Sequence, residues 1–329
     1  MASPLPAATG GGPGVPAAPG RLLPGRLPPE AMYPAGDPTV AVRFETLASG
    51  LRVRVLECGV PTGPPVLLLH GWCCSVYSFR RNLCALTELG CRVVAADLKG
   101  HGLSDKPVGR EEYTLAAMAD HVVDVMNAVG MPRAALVGHS MGCAIAVAVA
   151  LRYPQRVSRL ALLAPAGFGT ITLLPAARML TPRVLAPLLP RLTRRWMIGM
   201  VLRLAYAWDN KLTARDVDEY FAPTQFPGFA PAMRDLLHEF EWASGSRAEL
   251  ERLTVPTLVM FGTRDRLVYN RSVEAMVRAI PDVLLDVVEG AGHVLPEEVP
   301  ERVNARLAAF FRAGGDGAEN RVAAGATTG

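Results

Sequence analysis

Gly138-His139-Ser140-Met141-Gly142 sets a serine between two glycines, directly after the apolar run Ala134–Val137 and directly before a stretch of helical period, Met141–Arg152. A serine at such a strand-to-helix turn needs strained backbone angles, so the residues two before and two after it must be small, and Gly138 and Gly142 meet that demand. The turn projects the Ser140 hydroxyl at the carboxyl edge of a sheet. The helix it opens aims N–H groups and the positive end of its dipole at the same place, which favours an oxyanion forming beside the serine.

A serine hydroxyl is a weak nucleophile near neutral pH, and a positioned base that takes its proton contributes roughly 10² to 10⁴ in rate. Six histidines are available. His70 and His139 lie inside motif turns, His101 in a glycine-flanked loop, and His121 and His238 in helical stretches. His293 remains, in Gly290-Ala291-Gly292-His293 after the last apolar run, where glycines let a loop set an imidazole over the sheet edge. The imidazole in turn needs a carboxylate to fix its tautomer and steady its positive charge. Asp265 fits, in Gly262-Thr263-Arg264-Asp265 after the run Leu258–Phe261, whereas the alternative position after the preceding strand reads Ala164-Pro165-Ala166 and offers no acid. Two backbone donors are expected for the oxyanion: the N–H of Met141, and that of Trp72 in the turn Leu69-His70-Gly71-Trp72. Trp72 is also placed to wall an acyl pocket.

Positioning these groups takes an alternation of short Val- and Leu-rich runs with longer helical stretches, the pattern of a mostly parallel sheet covered by helices. Val40–Phe44 and Leu51–Leu56 read as an opening hairpin, followed by strands at Val66–Leu69, Val93–Asp97, Ala134–Val137, Leu160–Leu163, Leu258–Phe261 and Leu284–Val288. Helices are expected at Ser78–Leu89, Thr114–Val129, Met141–Arg152, Ser272–Ile280 and Val299–Phe311. The interval from Phe168 to Gly245 is too long for an ordinary connection and reads as a helical insertion. Residues 168–208 hold six arginines (178, 183, 191, 194, 195 and 203) and no acid, while 209–245 hold seven acids against three basic residues. Leu192, Trp196, Met200, Leu204 and Trp208 recur every four residues, one apolar helix face. That face is expected to pack the insertion on the core, with an acyl-pocket wall or contact with an anionic membrane as the alternatives.

With these segments in this order the chain resembles the α/β-hydrolase family, in its capped, serine-nucleophile, esterase- and lipase-like branch, over about residues 40–313. The carrying motifs are His70-Gly71, Asp97-Leu98-Lys99-Gly100-His101-Gly102-Leu103-Ser104, the Gly138–Gly142 elbow, Gly262–Asp265 and Gly290–His293. The resemblance implies a sheet of about eight strands, mostly parallel and flanked by helices, with a helical cap inserted after the sixth strand. It implies a Ser140-Asp265-His293 triad with Trp72 and Met141 as oxyanion hole, and a structural role for the Asp97–Pro107 loop. Cys143 departs from the second glycine that follows the elbow in many relatives but keeps a small residue there. The expected division is a Pro/Gly/Ala-rich disordered tail (1–36), a core (37–167 and 246–313), the cap (168–245) and a flexible tail (314–329).

Epoxide hydrolases and dehalogenases of this branch displace with an aspartate, whereas Ser140 points to acyl transfer. The expected activity is hydrolysis of carboxylic esters of an apolar acyl substrate, without metal or other cofactor. A carbon-carbon hydrolase of meta-cleavage type, a perhydrolase or thioesterase, and a ligand receptor or partner-binding module on the same fold are the alternatives.

Composition narrows the partners. With 329 residues the chain buries a core without disulfides or structural metal. A net charge of +4 and 6% aromatic residues give neither a basic field nor a stacking platform, so nucleic acid is not expected as a partner. The six cysteines form no CxxC pair and read as reduced, as in a cytoplasmic protein with peripheral membrane contact at most. The first 36 residues lack the apolar run of a secretory signal and carry only Arg21 and Arg26 as basic residues, which argues against a transit peptide. The uncharged run Leu160–Ala177 is interrupted by Pro165, Gly167, Gly169 and Pro175 and does not read as a membrane span.

Overall fold

Eight apolar runs pair into one sheet in the computed structural model, which describes residues 27–313 apart from 169–170, 172–173, 183–188, 209–210 and 244. In chain order the elements are β1 (Ala41–Thr46), β2 (Arg52–Gly59), β3 (Pro65–Leu69), α1 (Leu83–Thr87), β4 (Arg92–Ala96), α2 (Leu115–Ala128), β5 (Ala134–His139), α3 (Met141–Arg152) and β6 (Val157–Leu163). Then come α4 (Leu174–Leu180), α5 (Leu189–Leu192), α6 (Arg195–Ala205), α7 (Ala214–Phe221), α8 (Phe229–Glu239) and α9 (Arg247–Leu250). β7 (Thr257–Gly262), α10 (Asn270–Val277), β8 (Val283–Val288), α11 (Leu295–Glu298) and α12 (Pro300–Arg312) complete the chain. The strand order is β1-β2-β4-β3-β5-β6-β7-β8. β2 runs antiparallel to both its neighbours, and every other pairing is parallel.

Both faces of the sheet are covered, so successive side chains of the central strands are all apolar and divide between two cores. Leu67 and Leu69 of β3 pack with Met118 and Val122 of α2 and Ile145 of α3. Val66 and Leu68 join the opposite core with Leu83 and Leu86 of α1 and Val303 and Leu307 of α12.

The helix expected over Ser78–Leu89 is broken. A 3-10 turn at Val76–Phe79 precedes α1. Side chains set that turn: Asp97 Oδ1 accepts the Val76 N–H at 2.8 Å and Ser75 Oγ accepts that of Tyr77 at 3.2 Å. The last helix forms as expected to within a residue, as α12; the short α11 precedes it, and Pro300, whose ring supplies no N–H to continue α11, starts α12.

Residues 1–26 and 314–329, both read as tails, lie outside the described residues, as does Arg183. Residues 27–36, assigned to the first tail in the sequence reading, pack on the insertion: Met32 is buried with Ala222 and Phe226, and the Tyr33 N–H donates to Glu219 Oε1 at 2.8 Å. Among the described residues all six cysteines are free, and no helix is long and apolar enough to cross a membrane.

Between β6 and β7 the chain forms α4 to α9, and the two ends of this segment meet where Phe168 and Ala243 form an antiparallel bridge. One expectation is overturned here. Leu192, Trp196, Met200, Leu204 and Trp208 do not pack on the core; they are between 42% and 63% exposed. α6 instead turns Gly199, Leu202 and Ala205 inward. Leu202 packs with Val217 and Tyr220 of α7, and a Cβ at Gly199 would make ordinary contact with Val217 at 3.7 Å.

Candidate active site

Ser140 stands between β5 and α3 with φ 52° and ψ −118°, a conformation costly for any residue with a Cβ. The elbow is held by its surroundings. The Ser140 N–H donates to the Leu163 carbonyl of β6 at 3.0 Å. A Cβ on Gly138 would lie 2.6 Å from the Gly142 carbonyl, and one on Gly142 would collide with the Leu69 carbonyl oxygen of β3. Cys143 fits behind the turn with its Sγ 3.2 Å from the Gly138 carbonyl oxygen.

The loops after β7 and β8 bring the other two side chains to the same edge. His293 Nε2 lies 2.8 Å from Ser140 Oγ, and His293 Nδ1 lies 2.7 Å from Asp265 Oδ2. The second carboxylate oxygen, Oδ1, accepts the N–H groups of Leu267 at 2.8 Å and Val268 at 3.0 Å. Burial pushes the Asp265 carboxyl up, but the facing His293 ring and the two N–H donors outweigh it and hold its pKa below the usual carboxylate range. Asp265 is therefore held as an anion facing His293 Nδ1, with Nε2 on the far side of the ring toward Ser140 Oγ. Ser140 itself is only partly buried, so its hydroxyl can be reached.

The remaining two expected site residues flank the hydroxyl. Met141 opens α3, and Trp72 lies in the turn after β3, where Gly71 is so close that a Cβ there would sit 3.1 Å from that of Ser140. Neither the Met141 nor the Trp72 backbone N–H has an acceptor among the described residues, so both are available to a bound oxygen. The Trp72 indole reaches the other way. Its Nε1–H donates to the Met233 carbonyl of α8 at 3.1 Å, and it walls a cavity of about 210 Å³ with Ile198, Phe229, Met233, Leu237, Thr224 and Arg234, a mostly apolar lining that includes Trp72 but not Ser140 or His293. A larger cavity of about 740 Å³, between the segment around Met32 and the loop 102–106, includes none of the site residues.

Several contacts that hold His293 are not visible in the motifs. Its N–H donates to the Ala205 carbonyl at the end of α6 at 2.8 Å, and its carbonyl accepts from His139 Nε2 at 3.0 Å. Burial, then the neighbouring His293 ring, push the His139 pKa down to about 3, which keeps it a neutral donor. Glu298 gathers three N–H groups, from Gly292 at 2.7 Å and from Ala207 and Trp208 at 2.8 Å, tying the histidine loop to the chain that follows α6. Arg80 clamps the insertion beside it: it pairs with Asp216 of α7 at 2.6 Å and with Glu297, which also accepts from Tyr206 at 3.0 Å and from Tyr220. The Asp97 loop is structural as expected, Asp97 Oδ2 accepting the Leu103 N–H at 2.9 Å and facing Arg54 at 3.4 Å. Among the described residues no three His, Cys, Asp or Glu side chains are grouped to hold a metal ion.

A strained serine at a strand-to-helix elbow, a histidine after the last strand and an acid after the strand before it define a hydrolase on an open α/β sheet. The sequence pattern of the alpha/beta hydrolase fold matches residues 64–300, and the chain belongs to that family. It is similar to epoxide hydrolase A of Mycobacterium tuberculosis, 27% identical over 80% of this chain and 95% of that protein. Among solved structures it is similar to a membrane phospholipase A, described as a bacterial virulence factor, with a TM-score of 0.71 and 27% identity over 84% of this chain and 86% of the other. It shares the fold of a meta-cleavage product hydrolase from Pseudomonas fluorescens IP01, with a TM-score of 0.72 and 24% identity over 83% and 98% of the two chains.

Proposed function

We propose that this hydrolase cleaves carboxylic esters of an apolar acyl substrate through an acyl-enzyme on Ser140. The observation that carries the reading is the 2.8 Å separation of Ser140 Oγ and His293 Nε2, with Asp265 behind the ring at 2.7 Å. As Oγ attacks the ester carbonyl carbon, its proton passes to Nε2 and the carbonyl π electrons move onto oxygen, which the Met141 and Trp72 N–H groups receive. Collapse of the tetrahedral adduct expels the alcohol, which takes the Nε2 proton, and leaves the acyl group on Oγ. Water then repeats the sequence: Nε2 takes its proton, the hydroxide carbon-oxygen bond forms, and Ser140 leaves with its proton restored.

The mostly apolar cavity beside Trp72 and Cys73 supports an apolar acyl chain, and the 27% identity to a phospholipase A supports the ester class. Opening an epoxide, as the name of the mycobacterial relative describes, fits less well, because displacement in that branch uses an aspartate where Ser140 stands. The test is a fluorophosphonate probe together with p-nitrophenyl esters of increasing chain length. The reading expects labelling and turnover, both lost in Ser140→Ala, with kcat/KM rising with acyl length until the cavity is full. Labelling with no turnover of any ester overturns it.

A further inference from the structure

The outer face of the insertion presents large apolar side chains to solvent in a way a water-facing surface does not require. On α6, Trp196, Met200 and Leu204 form one i, i+4 row with Val201 beside it, and Trp196 is 63% exposed. α5 adds Leu192 and α4 adds Met179 and Leu180, exposed at 77% and 68%. Exposed apolar residues grouped on consecutive helices mark a surface with a partner.

The charges around them indicate what the partner is. Residues 168–208 contain six arginines and no acid. Arg195 is neutralised by Asp218 of α7 at 2.5 Å, and Arg178 donates to the Leu237 carbonyl. Arg191, Arg194 and Arg203 are exposed and have no carboxylate partner among the described residues. Exposed arginines in the same segment as the exposed Trp196, Met200 and Leu204 suit a helix lying in the plane of a membrane, apolar side in the acyl boundary and cations among the headgroups. A second copy of this chain docked face to face would oppose arginine to arginine.

We infer that the outer face of α4 to α6 docks on an anionic lipid surface. The inference goes beyond the ester reading and stands without it, because it uses no residue of the site. It has a consequence for the site all the same: α6 ends at Ala205, whose carbonyl accepts the His293 N–H, so a docked α6 sets the candidate active site next to the bilayer.

The experiment is co-sedimentation of the full chain with vesicles of phosphatidylcholine alone and of phosphatidylcholine with phosphatidylserine. The protein is expected to pellet with the anionic vesicles and to be released by salt. Each arginine near the surface contributes about fivefold, so the combined variant Arg191→Gln, Arg194→Gln, Arg203→Gln should weaken partitioning about 100-fold. Trp196→Ser with Met200→Ser should weaken it at low salt with every charge retained, with the thermal melt confirming that each variant folds. Ser140→Ala should bind as the parent does, so failure of docking and failure of the ester reading are read separately. A parent protein that stays in the supernatant with anionic vesicles at low salt overturns the inference. So does binding untouched by both sets of changes, or a dimer seen by sedimentation velocity that Trp196→Ser abolishes while vesicle binding is absent.

Discussion

His139 donates its Nε2–H to the main-chain carbonyl of His293 at 3.0 Å. The residue before the proposed nucleophile thus holds the backbone of the proposed base, and the Ala205 carbonyl holds the same residue from its N–H side at 2.8 Å. Two bonds of opposite sense leave the His293 peptide little freedom, so the ring swings on its side-chain torsions alone.

Removing the donor should therefore act on rate rather than on substrate binding. His139→Phe keeps the ring's bulk and loses the bond. A misplacement of about 1 Å costs on the order of 10² in kcat, and the unpaired carbonyl costs about 1–3 kcal/mol of stability. Steady-state kinetics on a short ester should show the fall in kcat with KM little moved; a kcat within about twofold of the parent would show that the bond is structural only.

Asp265→Asn tests the tautomer. The carboxamide keeps the shape but presents no anion to the imidazolium that forms during attack, and a loss of about 10⁴ in kcat is expected. The rate of fluorophosphonate labelling should fall with it, while the folded protein should remain, because Leu267 and Val268 N–H can still bond to the amide oxygen. Undiminished labelling would remove Asp265 from the mechanism.

Acid should destabilise the fold through its buried histidines. His70 and His121 accept the backbone N–H groups of Leu98 and Lys99, each at 3.0 Å, which an imidazolium cannot do. Burial lowers the pKa of both and takes His121 down to about 3; for His139 burial and then the His293 ring do the same. Because the unfolded chain takes up these protons near pH 6.5, it binds more of them than the fold does throughout the window below. Stability is full above that pH and falls as pH drops towards about 3, by up to about 1.4 kcal/mol per pH unit for each histidine. Asp265, its pKa lowered, adds a loss of the same sign further down, below the ordinary carboxylate range. Melting curves between pH 7 and 5 should show the decline and His121→Gln should flatten it; a melting temperature that rises on acidification would contradict the assignment of neutral rings.

Gly142→Ala tests how the elbow is built. The added methyl meets the Leu69 carbonyl oxygen, a backbone atom of β3 that cannot rotate away, so the start of α3 must move off β3. A loss of about 3 kcal/mol is expected, visible as a lowered melting temperature before any kinetic reading. Unchanged melting would mean that the first turn of α3 yields without cost.

The placement of the candidate site was legible because it sits where periodicity ends. Ser140, Asp265 and His293 each follow an apolar run that pairs as expected within a residue or two, and sheet topology does the rest. What was not legible depends on partners distant in sequence. His139 reaches a carbonyl 154 positions away, and Arg80 reaches Glu297 across 217 positions; neither spacing leaves a local pattern. The helix over Ser78–Leu89 failed for the same reason, since Asp97 decides where the chain turns. Of the row from Leu192 to Trp208 only Trp196, Met200 and Leu204 share a helix, since Leu192 ends α5 and Trp208 follows α6, and periodicity does not state which side a neighbour covers. The contact of Leu202 with Val217 and Tyr220 of α7 decided that, with Gly199 and Ala205 on the same side.

The bridge between Phe168 and Ala243 means that the insertion departs from and returns to nearly one point. A segment anchored that way adds only a logarithmic entropic penalty as it lengthens, so its size is free to drift while strand pairing stays fixed. The helices and the candidate site then become separately heritable: exchanging the helices between those two residues would leave the placement of His293 intact if the Ala205 carbonyl that accepts its N–H and the Ala207 and Trp208 N–H contacts to Glu298 were carried across with them.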